Sequence, residues 1–231
     1  MLWQRQKSFS TSGETRSRPS VEMPAVSLEG MRVTMRPPKF SDWREWAEVR
    51  RKNQDYLKPF EPRWAEDCFT KEFYLRRLKR QIVDWHRERG QPFLIFKKPG
   101  LDGEAPRLIG GMNVNNICRG AAQYAALGYW IDESHQGQGY MSEALRLILR
   151  YAFDDIGLHR VNASCLPDNK RSKKLLLRAG FAEEGFAKRY LSIDGRWQDH
   201  VLFGITVEDF EDTRLRAPRR PGKHGRVKAK L

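Results

Sequence analysis

The sequence predicts an α+β domain: one mixed sheet of about seven strands with about four helices. Three observations carry this. Between residues 25 and 213 the apolar residues switch repeatedly between an alternation of two and a spacing of three to four. A two-glycine turn at His135–Tyr140 (HQGQGY) joins an apolar strand pattern directly to an amphipathic helix pattern. Two long strand patterns near the C-terminus meet at Asp194-Gly195, a hairpin signal.

The elements follow in order. Met31–Arg36 reads as a strand stopped by Pro37 and Pro38, and Ser41-Asp42 suit the start of a helix reaching about Asn53. Tyr56–Trp64 (YLKPFEPRW), with two prolines, reads as an aromatic loop. A helix over about Thr70–Arg89 places Leu75, Leu78, Ile82 and Trp85 on one face. Strands are expected at Pro92–Lys97, Leu108–Asn116 and Tyr124–Ile131, with a turn in Lys98–Ala105. After the glycine turn, Met141, Ala144, Leu145, Ile148, Tyr151 and Ala152 form the buried face of a helix. Arg160–Cys165 is a strand, Lys170–Ala179 a helix closed by Gly180, and Glu183–Ile193 and Trp197–Thr206 the final hairpin.

The 231 residues carry a formal charge of +14, unevenly placed. Residues 214–231 hold eight Lys/Arg and no acid, so this tail alone contributes +8. Residues 1–24 and 214–231 are polar and aperiodic and are expected to be a disordered extension and a disordered basic tail around a single domain at 25–213. Such a tail is either a solvated, solubilising segment or a contact to RNA or the ribosome, since clustered cations release counterions from polyanions. No run approaches the ~18 apolar residues of a membrane helix. The N-terminus has no apolar secretory segment, and its Arg/Ser-rich start leaves a plain extension or an organelle transit peptide open. Three cysteines, Cys68, Cys118 and Cys165, in odd number and without CxxC spacing, argue against a disulfide scaffold or zinc knuckle and point to a reducing, cytoplasmic setting. The five histidines show no HExxH spacing, so no metal site is expected.

The glycine turn is the chemical signal. A helix start leaves N–H groups unpaired, the helix dipole adds partial positive charge there, and glycines let a phosphate approach the backbone. A Walker A loop is absent, and Gly137-Gln138-Gly139 lacks the third glycine of a dinucleotide fingerprint. By itself the turn fits either an anion site or a tight left-handed turn without ligand.

Its context narrows the choice. The turn reads Gln136-Gly137-Gln138-Gly139-Tyr140-Met141 and follows Leu127–Asp132 (LGYWID); Asn169–Ser172 (NKRS) and Gly180-Phe181 come later. This combination resembles the GNAT N-acetyltransferases, whose turn pattern is Gln/Arg-x-x-Gly-x-Gly/Ala. With Tyr56–Pro62, Asn115–Gly120 and Ile193–His200 it resembles most the ribosomal-protein-alanine acetyltransferases of the RimJ/RimL type, the RimJ kind in particular. The resemblance spans about residues 26–210 and departs from the pattern at Met141, where a small residue is usual.

The resemblance implies the GNAT fold with a splayed strand pair, and acetyl-CoA as the acetyl donor. It implies that the backbone of Tyr129, Trp130 and Ile131 meets the pantetheine arm and that Gln136, Gly137, Gln138, Gly139, Tyr140, Met141 and Ser142 supply the pyrophosphate amides. Asn169 matches the pantetheine-side anchor, and it also suits a helix N-cap. Many members carry a Tyr seven residues after that Asn to protonate the leaving thiolate; here it is Leu176, and Ser172 is the candidate acid. The acid that serves as base in the RimL type falls on Arg189, so Glu61 in the aromatic loop stands in as candidate base. Cys165 is expected to be a core thiol. The loop Tyr56–Trp64 and hairpin Tyr190–Trp197 are expected to line a peptide groove. The implied activity is acetyl transfer, by direct attack in a ternary complex, to the N-terminal α-amine of a ribosomal protein beginning with a small residue such as Ala. A small-molecule amine as acceptor, or a ribosome- or RNA-associated role with secondary acyl transfer, stand as the alternatives.

Overall fold

The computed structural model describes residues 22–100 and 103–216, with side chains to residue 212. The extension over 1–24 and the tail over 214–231 thus lie almost wholly outside the described residues, as does the tip of the expected turn in 98–105. The strands are β1 (Leu28–Glu29), β2 (Val33–Arg36), β3 (Gly90–Lys97), β4 (Arg107–Cys118), β5 (Tyr124–Ile131), β6 (Arg160–Cys165), β7 (Ala182–Ile193) and β8 (Arg196–Thr206). The helices are α1 (Trp43–Lys52), α2 (Gln54–Leu57), α3 (Lys71–His86), α4 (Tyr140–Arg150), α5 (Lys170–Arg178) and α6 (Val207–Arg216).

All eight strands form one sheet in the order β1-β2-β3-β4-β5-β6-β8-β7. Only β5 and β6 pair in parallel, joined through α4. The side chains of β3 alternate: Phe93 and Ile95 join α4 in one core layer, while Leu94 and Phe96 join Trp46 of α1 and Tyr74 and Leu78 of α3 in the other. The expected face of α4 is buried as read, and the helix runs on into a π-helical turn, Tyr151–Asp155, that buries Tyr151 and Ala152. Thr70 caps α3 by accepting from the Phe73 amide at 3.2 Å. At the end of α5 the Phe181 and Gly180 amides donate to the Leu176 and Leu177 carbonyls, and Gly180 has φ +98°, the left-handed stop expected of it.

Three details differ from the sequence reading. β1 is an eighth strand, too short to show a period. The Tyr56–Trp64 loop opens with α2 and a 3₁₀ turn, Lys58–Phe60; Pro59 sits where a helical first turn needs no amide donor, so it does not break it. And α6 follows β8 directly, held by Phe210 packed on Phe153.

The feature that positions the site is a divergence of two strands. β5 pairs with β6 only from Tyr124↔Arg160 to Leu127↔Ala163. Beyond that, β5 stays on β4 as far as Ile131↔Gly110, while β6 stays on β8 as far as Cys165↔Val201. The stretch 128–131 of β5 therefore presents a free edge toward the side of the sheet that β6 leaves.

Candidate active site

The free edge of β5 leads straight into the glycine turn. Asp132 begins it, accepting from the Ser134 hydroxyl at 2.7 Å and lying 2.9 Å from His135 Nδ1. Burial pushes the Asp132 carboxyl up, but hydrogen bonds from Ser134, Asn53 and His135 outweigh it and hold the group down at about 2. Asn53, at the end of α1, also accepts from the Glu133 amide at 2.8 Å, tying α1 to the turn. Gly137 and Gly139 have φ of +69° and +83°, left-handed values that a side chain resists. Gly139 is the N-cap of α4, and no side chain there takes up the first amides of the helix. Tyr140 and Met141 turn into the core, which explains how a large residue replaces the small one at 141: its side chain points away from the outward face of the turn.

Two cations to which the sequence reading assigned no role converge here. Arg32, just before β2, donates to the Gln138 carbonyl at 2.8 Å, pairs with Glu143 at 3.2 Å and lies over the Tyr140 ring at 4.8 Å. Arg171, from α5, donates to Gln136 Oε1, while Gln136 Nε2 is buried with no partner. Burial pushes the Tyr56 phenol up, with the Arg171 charge pulling the other way, which places α2 beside the same pair. Arg171 lies inside the Asn169–Ser172 stretch, but nothing local marks either arginine for this turn.

Across the splay, Asn169 caps α5: its Oδ1 accepts from the Ser172 amide at 3.0 Å. The Ser172 hydroxyl lies 2.7 Å from the Tyr129 hydroxyl of β5. Burial pushes the Tyr129 phenol well above its ordinary range, against the pull of Ser172. Cys165, at the end of β6, is buried and its thiol is pushed up by burial, also against a hydrogen bond from Ser172. Leu176 is fully buried in the core. Ile131 packs on the α4 side of the sheet with Tyr129, whereas Trp130 points to the opposite side, among Trp46, Leu57 and Tyr74.

Glu61 lies away from this cluster. Its carboxylate pairs with both terminal nitrogens of Arg50 and accepts from Trp64 Nε1 at 2.9 Å. Arg50 in turn sits over the rings of Trp64 at 4.1 Å and Trp130 at 5.0 Å. The Glu61 carbonyl accepts from the Asp194 amide at 2.9 Å, fixing the β7–β8 hairpin to the aromatic loop. The two segments expected to line the groove are thus brought together, with Tyr190, Trp197 and Phe60 exposed on them. Glu61 and Ser172 are held by separate networks.

An uncapped helix N-terminus behind left-handed glycines, an unpaired strand edge and an orphaned buried amide nitrogen at Gln136 fit a long, amide-bearing ligand that ends in phosphates. An acyl-coenzyme A has that make-up. The comparisons agree. The family described as "Acetyltransferase (GNAT) domain" matches residues 32–182. The chain is 37% identical to an Escherichia coli "[Ribosomal protein uS5]-alanine N-acetyltransferase" over 190 residues, covering 81% of this chain and 94% of that one. Among solved structures it resembles a ribosomal-protein-S5-alanine acetyltransferase from Vibrio fischeri (TM-score 0.72, 31% identity, 80% and 98% of the two chains). It also resembles a Mycobacterium smegmatis RimJ in complex with CoA-disulfide (TM-score 0.69, 34% identity, 77% and 83%). The chain belongs to the GNAT acetyltransferase family. It is an acyltransferase, with acetyl-CoA as the donor its site fits.

Proposed function

We propose that this protein transfers the acetyl group of acetyl-CoA to the α-amine of an alanine at the N-terminus of a ribosomal protein, by direct attack while both substrates are bound. The observation that carries the acceptor is the likeness to a ribosomal-protein-alanine acetyltransferase over 94% of that relative's length, long enough to include both segments of the groove. The exposed aromatic rings on those segments support a peptide with a small first side chain.

In this reading the main chain of Tyr129, Trp130 and Ile131 pairs with the pantetheine arm as an added strand. The amides of Gln136–Ser142 receive the pyrophosphate, with Arg32 and Arg171 at the edge of the turn. Asn169 fixes the first turn of α5, and the Ser172 hydroxyl donates to the departing sulfur. A peptide α-amine has a pKa of ~8, so a useful fraction is already neutral near pH 7 and a strong base is not required. Glu61, with both oxygens engaged, serves best by holding the acceptor wall through Arg50 and Asp194. Its alternative role as base is tested by the pH profile given in the Discussion.

The test is to incubate the full chain with acetyl-CoA and a synthetic ribosomal-protein N-terminal peptide starting with Ala, alongside the same peptide with a blocked α-amine and a set of polyamines and aminoglycosides. Acetylation of the free α-amine alone is expected. Turnover of the small amines without turnover of the peptide would overturn the acceptor assignment and leave the donor site standing.

A further inference from the structure

We infer that Tyr129 is a positioning residue for the acyl-transfer step: its phenol donates to the Ser172 oxygen and so aims the Ser172 proton at the departing sulfur. The inference rests on the proposed role of Ser172 and adds a side-chain function to a residue whose main chain alone was expected to act. The two hydroxyl oxygens lie 2.7 Å apart, a full-strength O–H···O contact. A phenol is by far the more acidic hydroxyl and an alkyl hydroxyl the better acceptor, so the proton between them belongs to Tyr129. Burial raises the phenol's pKa further, which keeps it a neutral donor across the working pH range.

With its oxygen receiving that proton, Ser172 has its own hydrogen left to place. Its amide is already committed to Asn169 Oδ1 at 3.0 Å, so the residue is held at both its main chain and its hydroxyl. Hydrogen bonds in such a chain polarise one another, so a hydroxyl that accepts becomes a better donor. The Cys165 thiol is within reach of the same hydroxyl and competes for its hydrogen, and the bond from Tyr129 on the Ser172 oxygen restricts which way that hydrogen points. No proton leaves Tyr129 for good in this scheme. Ser172 hydrogen-bonds the sulfur as the C–S bond breaks, and the excess proton of the acetylated amine is the one that finally neutralises the thiolate.

The experiment is a double-mutant cycle on the full chain with Tyr129→Phe, Ser172→Ala and the pair, reading kcat and the KM for acetyl-CoA separately. Retention of the acetyl-CoA-induced rise in Tm shows that each variant is folded and binds donor. Tyr129→Phe is expected to lower kcat roughly 10-fold with KM nearly unchanged, and the double variant to be no slower than Ser172→Ala. A fluorinated tyrosine at 129 should restore kcat at neutral pH and lose it at a lower pH than the native phenol does, because the donor then ionises earlier; a merely structural ring would not produce that limb. If Ser172→Ala is slow while Tyr129→Phe is not, or if the two losses multiply, the positioning role is overturned and Ser172 keeps its own. If Ser172→Ala is as fast as the parent, both roles fall.

Discussion

The proposed donor side and the proposed acceptor side of this active site are built from different materials. The donor side is main chain: two left-handed glycines, an uncapped helix start and a strand edge that loses its partner after Leu127. The acceptor side is mostly side chain: the Arg50–Glu61 pair stacked among Trp64 and Trp130, with one main-chain bond, from the Asp194 amide to the Glu61 carbonyl, fastening the hairpin tip. A main-chain site constrains residue type at fixed spacings, so it leaves a readable trace. A side-chain site assembled from α1, a loop, β5 and a hairpin leaves less: the loop and the hairpin could be marked as segments, but the pairing of Arg50 with Glu61 could not, because each residue taken alone is ordinary.

The comparison breaks most sharply at Gly139. An aspartate there puts a negative charge where phosphate belongs and is expected to weaken acetyl-CoA by ~100-fold or more in isothermal titration. Gly139→Ala separates the strain from the charge. Its added carbon would meet the end of the flexible Arg32 side chain at 3.0 Å and sit at φ +83°, costing about 1–2 kcal/mol of stability with a much smaller loss of affinity. Equal affinities for Ala, Asp and the parent would remove the turn from the donor site.

Glu61→Gln tests the other side. Arg50, whose side chain is only 10% exposed, loses its anion, and urea unfolding should show a loss of about 3 kcal/mol. The acceptor KM should rise while the acetyl-CoA KM holds, because the Glu61 side chain holds Arg50 and Trp64 in the acceptor wall and touches nothing in the glycine turn, while the main-chain bond to Asp194 is kept in both forms. The acidic limb of the kcat/KM profile decides the role: a limb unchanged in Glu61→Gln makes Glu61 a positioning residue, and its disappearance makes Glu61 the base.

The same contrast explains what was legible. The strand–turn–helix around Gly137 and Gly139, the buried face of α4, the Gly180 stop and the Asp194-Gly195 turn were all readable, because each is a local pattern with a local cause. Asp194 and Gly195 take φ of +45° and +81°, the conformation for which that dipeptide is suited. β1 was not readable because two residues show no alternation, and α6 because its sequence (VEDFEDTRLR) is mostly charged, with Val207 and Phe210 packed on the core among its described side chains. The Tyr129–Ser172 contact spans 43 residues. Tyr129 could be placed on the same face of β5 as Leu127 and Ile131, but which hydroxyl lies under it depends on where α5 docks.

The smallest expected effect lies at the joint between the two sides, where Asp132 links β5, the glycine turn and Asn53 of α1. Its folded pKa of about 2 is below the 3.8 of a free aspartate. The carboxylate therefore adds stability that is fully present above about pH 4 and is lost as pH falls toward 2. Asp132→Asn should be less stable than the parent at pH 7, and the gap between their urea midpoints should close steadily between pH 4 and pH 2. A gap that persists unchanged at pH 2 would mean that shape, not charge, holds this turn, and that the hydrogen bonds from Ser134 and His135 do not depend on an ionised partner. A gap that closes would show that the charge of one carboxylate, at the first residue of the turn, helps hold the donor site's main-chain geometry.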